Sequence, residues 1–472
     1  MIALKPKIHD RYSIEFKMGF VADSQPEESD FMVGMWIFVP SSLDITPATF
    51  THAEFYRFVK SNIRLITPHF KLSEIVGGDA VPLMNVTSAS DDDYEYQLKF
   101  FSAIVKSSVR DSRDAILSAP EAEREAMSVR FASDVHEIFS TMDRLRSVSP
   151  GVGHAECHDW CDEFLCNVVA QYSMAIYEAG TGRHGILQKQ GRPASIASLL
   201  HEIDERRIAN GYGRADSDDY NGNKEFIHRR GVLKKYVESL LYLRVPKKRD
   251  GVLVEQAYYS FAAGMAMIFA TVVAWAFQRH FGNLTWPLFI ALIISYMLKD
   301  RIKELMRFWF AHKVSDKYFD NKAKMSIHGT KIGSLKEAVD FIPSSKVPEE
   351  VDAMRNGSHL FSAENGFADE NIILYRKKVH LDFDKMQKVS TYNFDGVNDI
   401  IRLQVRPFLR KMDDPDQTFY IIGEDDNLKP VTCKKDYFVN IILQYSYGNT
   451  TEYKRFRLDL DRDGIKGMEE IY

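Results

Sequence analysis

From Ala257 to Phe277 the chain runs 21 residues without a single Asp, Glu, Lys, Arg or His. A helix of ~20 apolar residues, rising ~1.5 Å per residue, matches the ~30 Å hydrocarbon core of a bilayer, so this stretch reads as a membrane span. A second uncharged run, Leu284 to Leu298, has only 15 residues and would need flanking residues or local thinning of the bilayer to cross. Between the runs lie Gln278, Arg279, His280, Phe281, Gly282 and Asn283. A link this short fits a tight helical hairpin and puts residues 1–255 and 299–472 on one side of the membrane. The plainer alternative is a buried helical hairpin inside a soluble protein.

Aromatic residues fall where two membrane interfaces would place them, with Tyr258, Tyr259 and Tyr296 at one level and Trp275, Phe281 and Trp286 at the other. Arg244, Lys247, Lys248 and Arg249 precede the first run, and Lys299, Arg301, Lys303, Arg307 and Lys313 follow the second, against Arg279 alone in the turn. The positive-inside rule then gives an inner (plasma) membrane protein with two spans and both termini cytoplasmic. In the first run Ala262, Ala266, Ala270 and Ala274 recur every fourth residue, and Ala291 and Ser295 do so in the second. Small residues at this spacing let a neighbouring helix approach closely, either the other span or the same span of a second protomer.

The remainder is ordinary in composition, with 27% charged residues and a net charge of −5. Mild acidity argues against a nucleic-acid partner, which would call for a basic face. Four cysteines, Cys157, Cys161, Cys166 and Cys433, fit a reducing compartment rather than a disulfide framework. Met1 to Asp10 lacks the apolar core of a signal peptide, which leaves targeting to the first span.

The expected fold class is membrane-anchored α+β, in five segments. Residues 1–84 read as a small α+β unit: Ile14, Phe16, Met18 and Phe20 alternate as in a half-buried strand, Phe31 to Val39 suggests a central one, and Thr51 to Ile66 suggests a helix. Residues 94–250 read as a helical bundle, with Phe101, Ile104, Val105 and Val109 as one core stripe and Phe131, Val135, Ile138, Phe139, Met142 and Leu145 as another. The transmembrane hairpin, 256–298, is followed by an amphipathic extension, 299–313, whose Ile302, Leu305, Met306, Trp309 and Phe310 share one face. Residues 314–472 read as a mainly antiparallel β domain after a short helix opened by a Ser334–Glu337 capping box. Tyr375, Lys377, Val379, Leu381 and Phe383 alternate there, as do Ile401, Leu403 and Val405.

Three motifs have the outline of chemistry. Asp459, Asp461, Asp463, Gly464 and Glu470 match a calcium loop of the EF-hand type, whose oxygens would surround a hard cation. The residues before it alternate as a strand, however, and a solvated turn accounts for the same sequence. His154, Cys157, His158 and Cys161 lie on one helical face and could hold zinc or copper, but Cys157 and Cys161 also continue a core stripe through Phe164, Leu165 and Val168. Gly180 to Gly185 satisfies G-x-G-x-x-G but follows a helix rather than a strand, which favours helix termination over dinucleotide binding.

No phosphate-binding P-loop, H-E-x-x-H pair or G-x-S-x-G elbow occurs in the sequence. No cofactor is expected. The expectation is a non-enzymatic, membrane-anchored binding or scaffold protein whose partners are the lipid bilayer and a cytoplasmic protein. The alternatives are a pore former that oligomerises through the first span, and a membrane-bound enzyme with an unfamiliar site.

Overall fold

The computed structural model describes residues 2–21, 28–76, 91–148, 152–179, 193–282, 285–313, 319–327, 329–356, 370–389, 392, 394, 396–424, 427–448 and 450–471. The chain is mixed helix and sheet, and its carboxyl-terminal part is antiparallel sheet. It divides into two compact units, one of residues 1–63, 244–391 and 398–472, the other of residues 64–243 and 392–397.

The first unit is built on strands β1 (Ile2–Asp10), β2 (Ser13–Val21), β3 (Glu28–Pro40), β4 (Val59–Leu65), β5 (Lys247–Arg249), β6 (Asn321–Ile327), β7 (Thr330–Ile342), β8 (Glu370–Asp382), β9 (Gly396–Gln404), β10 (Asp416–Ile422), β11 (Leu428–Lys434), β12 (Tyr437–Tyr447), β13 (Thr450–Asp461) and β14 (Gly464–Ile471). Eight of them form one sheet in the order β14-β13-β12-β3-β8-β7-β6-β5. Four form a second sheet, β1-β2-β9-β4, and β10 and β11 pair by themselves.

Strand β3 lies between β8 and β12. It pairs with β8 from Glu28↔Asp382 to Pro40↔Glu370, and with β12 from Phe31↔Tyr447 to Phe38↔Asn440. Its almost continuous apolar run suits a strand covered on both faces: Phe31, Val33, Met35, Trp36, Ile37, Phe38 and Val39 are all buried. A strand expected in an amino-terminal unit of residues 1–84 is therefore central to the sheet that residues 314–472 form.

Two helix expectations give way to strands. Thr51 caps α1 (His52–Phe58) through a reciprocal capping box with Glu54, but the helix stops there because Val59, Ile63 and Leu65 bury with the period of strand β4. Ser334 to Glu337 lies inside β7, hydrogen-bonded to β6 on one side and β8 on the other, so sheet pairing outweighs a local capping signal.

The second unit contains α2 (Leu72–Val76), α3 (Asp91–Ser118), α4 (Glu121–Val148), α5 (Val152–Ala179), α6 (Ala194–Asn210) and α7 (Tyr220–Glu238). Both expected core stripes, on α3 and α4, are buried. Buried Asp162 and Glu163 on α5 would be costly unpaired; Arg206 forks onto Asp162 at 2.9–3.1 Å, Tyr212 donates to it at 3.0 Å, and Arg229 reaches Glu163 at 2.6 Å. The segment 392–397 joins this unit by stacking Tyr392 on Phe100, with ring centroids 4.1 Å apart.

The first unit also carries helices α8 (Val252–Phe281) and α9 (Trp286–Lys313), which pack along each other. Ala262 and Ala266 on α8 and Ala291 and Ser295 on α9 are buried, Ala270 and Ala274 are half-buried, and Ser295 Oγ donates to the Ala270 carbonyl at 3.4 Å. The small-residue ridge is thus filled by the other helix of the same chain. Replacing Ala266 and Ala270 together by Leu should force the helices apart and lower the unfolding temperature in detergent, an effect of about 1–3 kcal/mol for overpacking. Val272→Leu, on the 56% exposed face, should leave it unchanged; equal losses in both variants would contradict the ridge.

Candidate functional site at the base of the apolar hairpin

With 30 residues in α8 and 28 in α9, the helices are about 45 and 42 Å long. That length approaches the ~40–45 Å of a bilayer with its headgroup regions. Among the described residues, one helix, α8, is long and apolar enough to cross a membrane. In α9, only the 13 residues from Trp286 to Leu298 precede the charged Lys299, Asp300 and Arg301. The outer faces are uncovered, with Phe261, Ile268, Trp275, Trp286 and Met297 each 59–77% exposed. A core hairpin of a soluble protein would have buried these side chains against the rest of the chain, as the plainer reading required, and it does not.

The register between the helices follows from three contacts. Besides Ser295 with Ala270, Trp309 stacks on Tyr258 at 6.4 Å and the Arg307 guanidinium lies 5.0 Å from the Tyr259 ring centroid. The charged residues of α9 from Lys299 onward therefore stand level with the first turns of the apolar run of α8. At its base the hairpin is amphipathic, one helix still apolar and the other already charged.

The hairpin leaves the eight-stranded sheet at its β5 edge. Arg249 of β5 pairs with Asn321 of β6, Gly251 turns the chain with φ of 70°, and Glu255 in the first turn of α8 holds Arg249 at 3.0 Å. Directly inside that edge lies a buried polar network. The Glu337 carboxylate of β7 accepts from Lys247 Nζ of β5 at 2.9 Å, from Asn321 Nδ2 at 3.1 Å and from the Tyr375 hydroxyl of β8 at 3.0 Å. Lys377 of β8 donates to Asp399 of β9 and to Ser61 of β4. Glu337, Tyr375, Lys377 and Asp399 are fully enclosed.

Burial pushes the Asp399 carboxyl up against the pull of Lys377, pushes the Lys377 ammonium down against the pull of Asp399, and raises the Tyr375 phenol well above its usual range. Asp399 Oδ2 has no hydrogen-bond partner among the described residues. A short step away Asp320 accepts from the Tyr56 hydroxyl and the Val339 amide, each at 2.9 Å, with His52 at 3.6 Å. The arrangement ties β4, β5, β7, β8 and β9 together beneath the point where the hairpin departs.

The calcium-loop residues are not brought together around a common point. Asp461 ends β13 and Gly464 begins β14, joined by a two-residue turn. Asp461 Oδ1 accepts from the amides of Asp463 and Gly464 at 2.8 and 3.0 Å, and Lys466 holds its other oxygen at 2.8 Å. Glu470 pairs with Lys454 at 2.8 Å, Asp463 faces Arg11 at 3.5 Å, and Asp459 has its carboxyl pushed up by burial and by Asp436. Gly464 is required by its φ of 150° and because a Cβ there would meet the Arg11 carbonyl at 2.6 Å. Asp461 is a buried turn carboxylate rather than a solvated one, so its loss should weaken the hairpin by ~1–2 kcal/mol.

His158 Nε2 contacts the Met142 carbonyl at 2.8 Å within the helical unit, His154 stacks on Tyr94, and Cys157 and Cys161 are core. Among the described residues no group of three His, Cys, Asp or Glu side chains is placed to hold a metal ion. Gly180 to Gly185 lies outside the described residues.

The polar network was not singled out from sequence, yet it left a trace: Lys377, Glu337 and Asp399 each occupy the inward phase of an otherwise apolar alternation. No family model, curated protein or solved structure matches the chain.

Removing one partner of a buried ion pair costs about 3–5 kcal/mol, whereas replacing both by apolar side chains of similar volume is near neutral or better. Asp399→Ala and Lys377→Ala should each lower the unfolding temperature sharply, and Lys377→Met with Asp399→Leu should restore it. A double variant as unstable as either single one would show that the network is needed for more than mutual neutralisation.

Proposed function

We propose that the chain is an integral membrane protein whose α8–α9 hairpin crosses the inner membrane twice, holding the sheets and helices on the cytoplasmic side as a membrane-anchored binding or scaffold module. The observation that carries this reading is the position of β3. A strand from before the hairpin is hydrogen-bonded between two strands from after it, and one sheet cannot be shared across a bilayer. The number of crossings between Pro40 and Asn321 must then be even, so a membrane-crossing α8 calls for a return through α9. Two further observations support it: β5 and β6, which flank the hairpin, pair directly, and the basic residues concentrate at its base.

Oligomerisation into a pore took its motive from the alanine ridge, which is filled within one chain. An enzymatic reading has no observation in its favour. A transporter would need an ionisable pathway between the spans, and neither uncharged run supplies one.

Labelling of single cysteines in the intact chain tests the topology. Cys433 is exposed, whereas Cys157, Cys161 and Cys166 are buried. In whole cells a membrane-impermeant maleimide should label His280→Cys in a Cys433→Ser background, and should reach Cys433 of the unaltered protein only after permeabilisation. Labelling of Cys433 from outside, or of His280→Cys only after permeabilisation, would overturn the two-span topology. Extraction of the protein by alkaline carbonate would overturn membrane insertion itself.

A further inference from the structure

The register of the eight-stranded sheet aligns four lysines that are far apart in the sequence. Lys248 of β5 stands opposite Lys322 of β6, Lys322 opposite Lys336 of β7, and Lys336 opposite Lys378 of β8. Neighbouring strands are ~4.8 Å apart, so the row spans about 14 Å across the sheet. Side chains at directly paired positions project from the same face, and all four are exposed, Lys322, Lys336 and Lys378 by about half.

Like charges directly opposite each other destabilise a sheet, and here the juxtaposition occurs three times in succession. Neutralisation within the chain is partial. Asp250 serves both Lys322, at 2.8 Å, and Lys336, at 3.9 Å, while Asp30 divides itself between Lys378, at 3.0 Å, and His380, at 2.7 Å. Lys324 adds a further exposed cation to the face.

Helix α10 (Glu349–Asn356) covers the same face elsewhere: its Val351 packs with Trp36, Phe38, Leu374 and Ile442. It stops short of the lysine row, whose continuation on β3 is the 38% exposed Met32. The row begins at the strand edge from which the hairpin departs, since Lys248 is four residues before the first residue of α8.

We propose that this lysine row is a second membrane contact, which lays the face of β5–β8 against the phosphates of anionic phospholipids in the leaflet where the hairpin enters. The proposal rests on the two-span reading above. That reading brings a negatively charged surface to the β5 edge, where basic residues act within a Debye length of ~8–10 Å. Each lysine at such a surface adds about a fivefold gain in partitioning. The row would orient the sheet on the leaflet rather than leave it swinging from the hairpin.

The test uses the full chain, reconstituted into vesicles of zwitterionic lipid alone or with about one-third phosphatidylglycerol. A fluorophore on Ser334→Cys, on the same face beside the row, in a Cys433→Ser background, reports proximity to a headgroup-attached quencher. Quenching should rise several-fold when the anionic lipid is present and be lost in high salt or when the four lysines become Gln. The lipid and salt comparisons need no lysine variant, so they decide even if that variant fails to fold. Weak quenching in both vesicles, with the protein still resistant to carbonate, overturns the lysine contact and leaves the hairpin standing. Quenching independent of lipid charge overturns it as well, as does relief of quenching by an oligonucleotide at low concentration. Carbonate release overturns both readings together.

Discussion

The pairing of β3 with β8 and β12 is the constraint on which the first unit depends. Thirteen residues that precede the hairpin by some two hundred positions pair with β8 on one side, and eight of them, Phe31 to Phe38, also pair with β12 on the other, both strands following the hairpin. Backbone groups in the middle of a buried sheet have no water to fall back on, so this strand must be in place before β8 and β12 can share a sheet. The hairpin is consequently an excursion from an already joined body, leaving at β5 and rejoining at β6. Most of the topology follows from that closure: the joining of the flanking chain in one sheet, the registry of the lysines and the enclosure of Glu337 and Lys377.

Beneath the hairpin the sheet buries charge that a purely apolar core would have spared it. Glu337 is saturated by Lys247, Asn321 and Tyr375, whereas Asp399 has one oxygen on Lys377 and the other without a partner among the described residues. Desolvation outweighs attraction for both Lys377 and Asp399, so the pair is a poor source of net stability. What it supplies is registry. Slipping β7 or β8 by one position would turn Glu337 or Lys377 to the opposite face and leave its partner buried and unpaired.

The two helices of the hairpin do not present matching apolar lengths. Their contacts set Leu298 level with about Met267, so only the 12 residues from Met267 to Gln278 on one helix and the 13 from Trp286 to Leu298 on the other, about 18–20 Å, are free of charge at the same depth. In the proposed two-span arrangement a hydrocarbon core of ~30 Å would exceed that, and the difference would be met by thinning of the bilayer or by lysines reaching to the interface. The base of the hairpin, where Arg307 lies over Tyr259 and Trp309 stacks on Tyr258, has the mixed character of a headgroup zone. In that proposed arrangement the β5 edge, four residues from the start of the hairpin, would lie close to the leaflet surface.

Local pattern in the sequence was enough to locate the two helices of the hairpin, the core stripes of α3 and α4, strands β2, β3, β8 and β9, and the small-residue ridge. Each of these is written as a periodicity within a few turns or a few strand residues. It was not enough for the strand that follows α1 or for the strand holding Ser334 to Glu337, because in both cases pairing with other strands overrode a valid short-range signal. The polar network and the lysine row lay further out of reach. Their members come from residues 61 to 399, and nothing in a one-dimensional pattern says which strand will lie beside which. Sequence determined how each segment buries its own apolar face. Only tertiary structure decided the neighbours, because strand order and register depend on hydrogen bonds between segments hundreds of residues apart, and those set which charges meet.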